Sequence, residues 1–219
     1  MKLVGERRAL AAAIMAFYFL FYGVLAYSQI APDFTKAFAA IAGVYGLAFF
    51  SLVAGYFWAR WYSVGVGLYG VISAAVGIWQ IGAEPLLVFM GGTHLAATLF
   101  LWGQTMSEPY QRLGRSVIRA GVSLPFILLY AFVPRPDGAA ALALVAFVLA
   151  AVGLRGLVQL RTWGVLAIGV AGALILAMVS ADVAARGFDA FAVRPTIAAG
   201  MLISAVVPFL RPIARFVTA

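Results

Sequence analysis

Long apolar stretches, broken by short polar punctuation, run the whole length of the chain. A helix that crosses a bilayer needs about 20 mostly apolar residues. Eight stretches meet that length, at 9–31, 37–58, 61–83, 85–104, 116–134, 138–160, 162–184 and 193–210. Turn-forming residues separate several of them: APDF at 31–34, AEP at 83–85 and PRPDG at 134–138. Within each stretch the residues are uniformly apolar rather than alternating, at about twice the length of a barrel strand, which argues for helices. The pattern predicts an all-α integral membrane protein, a bundle of eight transmembrane helices with negligible soluble mass.

Charge orients the bundle. With the N-terminus inside, 11 of the 15 Lys and Arg fall on cytoplasmic segments: Lys2, Arg7, Arg8, Arg60, Arg112, Arg115, Arg119, Arg155, Arg161, Arg211 and Arg215. The outer segments hold Lys36, Arg135, Arg186 and Arg194. Acidic residues run the other way, with Asp33, Glu84, Asp137, Asp182 and Asp189 outside and Glu6 and Glu108 inside. Seven or nine spans would scramble this segregation, so the positive-inside rule predicts eight spans with both termini cytoplasmic, in the cell membrane. The first span has a basic start and AYS at 26–28, as a signal peptide does, but its apolar run exceeds the usual signal core and reads as a permanent helix.

The longest connection, 105–121, divides the chain into an expected first half, 1–112, and second half, 113–219, each with four helices. The third span begins ARWYSVGVGLYG and the seventh, 101 residues later, LRTWGVLAIGVAG. Both open on Arg and Trp and continue as small-residue helices. Four spans is an even number, so duplicated halves would be parallel repeats. Small residues recur every four positions at Ala39/Gly43 and Ala42/Gly46, at Gly70/Ala74 and Ser73/Gly77, and at Gly169/Ala173/Ala177. Such spacing brings helix backbones close, and it places spans two, three and seven at the tight centre of the bundle. A homodimer face is the alternative.

Composition narrows the chemistry. The chain is 65% hydrophobic and 10% charged, with a mean hydropathy of +1.06. The charges are too few to cover a water-facing surface. Lacking cysteine, it has no disulfide, thiolate metal site or cysteine nucleophile. A single histidine rules out bis-histidine haem within the chain. The +8 net charge reads as orientation and contact with anionic lipid, not as a nucleic-acid surface. Arg112, Arg115 and Arg119 share one face, at i, i+3 and i+7, and are the candidate lipid-binding residues. No Walker loop, dinucleotide fingerprint, HExxH or GxSxG occurs; GVGLYG at 65–70 lies inside a span and is no phosphate loop. No cofactor is expected.

Aromatics crowd spans one and two: Phe17, Tyr18, Phe19, Phe21, Tyr22, Tyr27, Phe49, Phe50, Tyr56, Phe57 and Trp58. With Trp61, Trp79, Trp102 and Trp163 near span ends, they read as interfacial belts, with a quinone or cofactor box as the sharper alternative.

His94 stands at the middle of span four. Its i±3 and i±4 neighbours, Met90, Gly91, Ala97 and Thr98, are small or weakly polar, so the ring is expected to face the bundle. Gly91 and Gly92 offer room for a backbone or a ligand. An ionisable group at this depth is a functional-site hypothesis; the structural alternative is a neutral ring hydrogen-bonded to another helix. His94, Gly91, Thr98 and Gln80 are the candidate ligand-binding residues. Gln80, Glu84, Asp182 and Arg194 could line an outer vestibule, or Asp182 and Arg194 could form a surface pair. Arg155 is placed to snorkel, and Pro125 and Pro208 to kink spans five and eight.

Two functional classes follow. One is a small transporter- or channel-like protein passing an uncharged or weakly polar molecule near the midplane, at a site between the halves near His94. The other is a non-catalytic membrane subunit or scaffold that binds partner helices, another copy or lipids. An enzyme ranks third, because no acid and base share one depth.

Overall fold

The computed structural model describes residues 2–28, 30–102, 108–132 and 140–217. These form eight α-helices: α1 (Lys2–Ser28), α2 (Thr35–Ala54), α3 (Ala59–Ile81), α4 (Pro85–Leu101), α5 (Glu108–Phe132), α6 (Ala140–Val158), α7 (Thr162–Arg186) and α8 (Ala190–Val217). A single 3₁₀ turn, Pro32–Phe34, precedes α2. There is no strand among the described residues. In hydrocarbon a backbone has no water to bond, and a helix satisfies its own amides and carbonyls internally.

Seven helices are long and apolar enough to cross a membrane, and α4 is a shorter apolar helix of 17 residues. At 1.5 Å per residue α4 is about 25 Å long, a little under the hydrocarbon thickness. It stops at Leu101, three residues before the expected end of its span, because Trp102 turns extended (ψ 149°). The segment expected as the longest connection, 105–121, is helical from Glu108 onward. The PRPDG turn at 134–138, with Arg135 and Asp137, lies outside the described residues.

Local chemistry explains the ends. Gly55, at φ 83°, closes α2 in a left-handed conformation, with Gly55 N–H on the Leu52 carbonyl and Tyr56 N–H on that of Ser51. The Arg8 guanidinium donates to the Leu52 carbonyl, and Arg60 donates through Nε to the Leu101 carbonyl at the end of α4. Arg8 thus adds a second donor to a C-terminal carbonyl of α2, and Arg60 supplies one at the C-terminus of α4. Pro85 opens α4, where its missing N–H costs nothing. Asp189 caps α8 by accepting from Phe191 N and Ala192 N, both at 2.9 Å.

The helices fall into two compact units, α1 to α4 in one and α5 to α8 in the other. In the first, α1 packs on α2 and α4, and α3 packs on α2 and α4, so the four close a ring. In the second, α7 packs on α6 and α8, and α5 is tied to α8 by hydrogen bonds.

The small residues do not all work where the spacing placed them. In α2, Ala42 and Gly46 are buried and Gly46 meets the Phe19 ring, but Ala39 and Gly43 face outward and Gly43 has nothing beside it. In α7, Ala173 and Ala177 are exposed; the close contacts are made by Gly164 and Gly172. The tightest seams are α3–α4 and α6–α7, so the crowding involves α4 and α6, which the expected trio of spans omitted.

Candidate functional site

The site grows from the seam between α3 and α4. Along α3, Gly67, Gly70, Ala74 and Gly77 make one stripe, spaced alternately by three and four. On α4, Thr98, His94, Gly91 and Leu87 make the facing stripe. A Cβ added at Gly67 would overlap Thr98 Oγ1, and one at Gly70 would overlap the His94 ring. One at Gly91 would lie 3.2 Å from Ala74 Cβ, and one at Gly77 3.0 Å from Leu87. The two helices therefore run antiparallel in a fixed register, with glycine on α3 opposite each large group on α4. The room for the imidazole comes from Gly70 rather than from Gly91, which is filled by Ala74, or Gly92, which is exposed.

His94 is fully enclosed, at 0% exposure. Its Nδ1 lies 2.7 Å from the Met90 carbonyl one turn back on α4. A carbonyl only accepts, so Nδ1 carries hydrogen and donates. In the neutral ring Nε2 is then an acceptor. It takes the hydroxyl of Tyr45, on α2, at 2.6 Å. Tyr18 of α1 covers the imidazole, with ring centroids 4.1 Å apart and planes tilted 36°. The Tyr18 hydroxyl bonds Thr93 Oγ1 at 2.6 Å, and Thr93 also donates to the Phe89 carbonyl at 2.8 Å. Tyr22 stacks on Tyr45 at 5.6 Å and 14°. Residues from α1, α2 and α3 thus converge on one side chain of α4, and both ring nitrogens have protein partners.

Thr98 sits one turn from His94 on the same face, buried with its hydroxyl unpartnered among the described residues. Gln80 is half-buried near the end of α3, ten residues beyond Gly70, or about 15 Å along the helix. The structure brings His94, Thr98 and Gly91 onto one seam and leaves Gln80 about 15 Å further along α3.

The outer polar residues divide between units. Gln80 and Glu84 belong to the first, and Glu84, exposed, precedes Pro85 at the start of α4. Asp182 and Arg194 belong to the second. Asp182 accepts the Tyr130 hydroxyl at 2.6 Å and pairs with Arg186 at 3.2 Å. Of the candidate lipid-binding residues, Arg112 and Arg115 are exposed, whereas Arg119 is half-buried and donates through Nη1 to the Ser204 carbonyl of α8 at 2.7 Å. That carbonyl lies four residues before Pro208, which has no N–H to give it. Ser116 Oγ donates to the Ala205 carbonyl at 2.8 Å, and Ser123 Oγ to the Ala198 carbonyl at 3.1 Å. Arg155 is exposed near the end of α6.

The aromatics also divide. Trp79, Trp102, Tyr27 and Tyr56 are exposed near helix ends, as a belt requires. Tyr18, Tyr45 and Tyr62 are fully buried. Tyr18 therefore departs from the expected belt, and Tyr45 lies outside the aromatics that the belt pattern picks out. The available signal was depth: Tyr45 and His94 both lie near the middles of their spans, where a hydroxyl and an imidazole each need a partner.

Compared with known proteins, the chain matches no family model, no curated protein and no solved structure. The functional reading therefore rests on composition and geometry: a multi-pass membrane-type helical bundle built around an enclosed imidazole.

Proposed function

We propose that this protein is a non-catalytic membrane subunit or scaffold, and that His94 ties its first four helices together. The observation that carries this reading is the closed bonding of the ring, with Nδ1–H on Met90 and the Tyr45 hydroxyl on Nε2. A ligand that bound the imidazole would have to displace one of them. The outward small-residue face of Ala39 and Gly43 offers a close approach for a helix of another membrane protein. A photo-crosslinking residue in place of Gly43, in native membranes, should give one discrete heavier protein species. Lipid-sized adducts alone, together with saturable flux of a small neutral solute through reconstituted protein, would reject the scaffold.

A second reading, passage of a small uncharged or weakly polar molecule, is favoured by the buried hydroxyl of Thr98, which has no partner among the described residues. It predicts solute flux in proteoliposomes that Thr98→Val reduces while leaving the fold intact; flux unchanged by that substitution counts against it.

We further propose that α4 crosses the membrane like its neighbours, giving eight spans, two parallel four-helix repeats and cytoplasmic termini in the cell membrane. The charge segregation supports this. With eight crossings, Gly187 lies outside and Gln159 inside; with α4 not crossing, the two exchange sides. Single cysteines replacing each, probed with an impermeant thiol reagent, should label only at position 187 from outside, and labelling at 159 would remove α4 from the span count. In this orientation Arg112 and Arg115 lie among inner-leaflet headgroups, each contributing about 1 kcal/mol at low salt. The Arg112→Gln/Arg115→Gln variant should retain less anionic lipid on purification, and equal retention would refute that role.

A further inference from the structure

We propose that the α3–α4 seam holds a binding site for a water-sized neutral molecule, built by the hydroxyls of Ser63 and Thr98. The inference rests on the second reading above and names where and what that molecule contacts. Ser63 continues the α3 stripe one turn beyond Gly67, and Gly67 lies directly against Thr98 Oγ1. The two hydroxyls are therefore on one seam, about a helical turn apart. Ser63 is 0% and Thr98 4% exposed, and neither side-chain oxygen has a hydrogen-bond partner among the described residues.

Several other hydroxyls find a carbonyl, whereas Ser73 of α3 shares with Ser63 and Thr98 the lack of a partner among the described residues. Ser51 donates to the Ala48 carbonyl, Thr93 to that of Phe89 and Ser123 to that of Arg119, each turned back on its own helix. That is the cheap solution for a helical hydroxyl in an apolar medium. Ser63 and Thr98 forgo it, and a buried hydroxyl without a partner is costly. A molecule with one donor and one acceptor, placed between them, satisfies both. The His94 carbonyl faces the same point, 3.3 Å from where a Gly67 Cβ would stand, and has a second lone pair to offer. Three polar groups are enough to hold one small hydrogen-bonding molecule. At the end of the seam the half-buried Arg60 guanidinium donates to the Leu101 carbonyl.

The chain has no cysteine, so single replacements report cleanly. The purified full-length protein carrying Ser63→Cys, Thr98→Cys or Ala97→Cys is treated with methanethiosulfonate ethylammonium. Ala97, fully buried one residue from Thr98, is the control for burial alone. Both seam cysteines should react at least about tenfold faster than the control, because thiolate chemistry needs aqueous access. Thr98→Val, which keeps shape and removes the hydroxyl, provides a second readout independent of cysteine. Where the hydroxyl binds a molecule, its loss lowers the unfolding temperature; where it is orphaned, a methyl in its place raises it. Equal labelling of position 98 and the control, or a higher unfolding temperature for Thr98→Val, overturns the proposal. Neither measurement involves flux, so failure here is distinct from failure of the transport reading.

Discussion

The two tightest seams of the molecule use glycine for opposite purposes. Between α3 and α4, Gly70 clears space for a polar side chain, the His94 ring. Between α6 and α7, Gly164 lies against backbone: a Cβ there would come within 2.7 Å of the Gly153 carbonyl oxygen and overlap Leu157 N. Gly156, opposite, would drive its own Cβ to 2.8 Å from Gly164 Cα. The first seam is organised around a group that needs hydrogen bonds, the second around close main-chain approach with dispersion as its reward. The units differ in the same sense. In α1 to α4 two pairs join side chain to side chain, Tyr45 with His94 and Tyr18 with Thr93. In α5, Ser116, Arg119 and Ser123 bond main-chain carbonyls of α8, and Tyr130 bonds the Asp182 carboxylate of α7.

That contrast sets the order of expected effects. Gly164→Ala should be the most damaging single methyl, at about 3 kcal/mol or more, because the obstruction is backbone and cannot swing aside. Thermal unfolding in detergent measures it, and a loss below that of Gly70→Ala would mean the α6–α7 approach is looser than described. Gly70→Ala should cost about 2–3 kcal/mol by pushing the imidazole off Tyr45. Its obstruction is removable, so in a His94→Ala background the added methyl should cost almost nothing. A full penalty in that background would show that something other than the ring fills the space.

Smaller again is the tie across α5 and α8. Arg119→Met should destabilise by about 1 kcal/mol, since it strands the Ser204 carbonyl that Pro208 leaves open. In Pro208→Ala that carbonyl regains an amide partner, and the same Arg119→Met change should then cost clearly less. Equal costs in both backgrounds would mean the guanidinium serves some other contact.

The helices were legible from length and apolarity alone, because a bilayer admits few backbone solutions. Their ends were less so: α5 starts at Glu108 inside a polar segment, where helix continues as readily in water as in lipid. His94 and its enclosed face could be read from its small neighbours. Its partner could not, since choosing Tyr45 over the other tyrosines of α1 and α2 requires the register of two helices far apart in sequence. Arg119 shows a similar limit. A basic residue near a span end reads as a lipid contact, and only the fold shows the Ser204 carbonyl, which Pro208 leaves without an amide donor, within its reach.

His94 is a hydrogen-bonded tie between α4 and α2, with Tyr45 as its partner. A double-mutant cycle in thermal or denaturant unfolding tests it most directly, using His94→Leu, Tyr45→Phe and the pair. Each single change should destabilise by about 1–2 kcal/mol, the histidine change because it strands the tyrosine hydroxyl. The double variant should cost clearly less than their sum, with a coupling of about 0.5–1.5 kcal/mol. Additive losses, or a His94→Leu protein as stable as the parent, would contradict the claim and leave the imidazole free for a ligand.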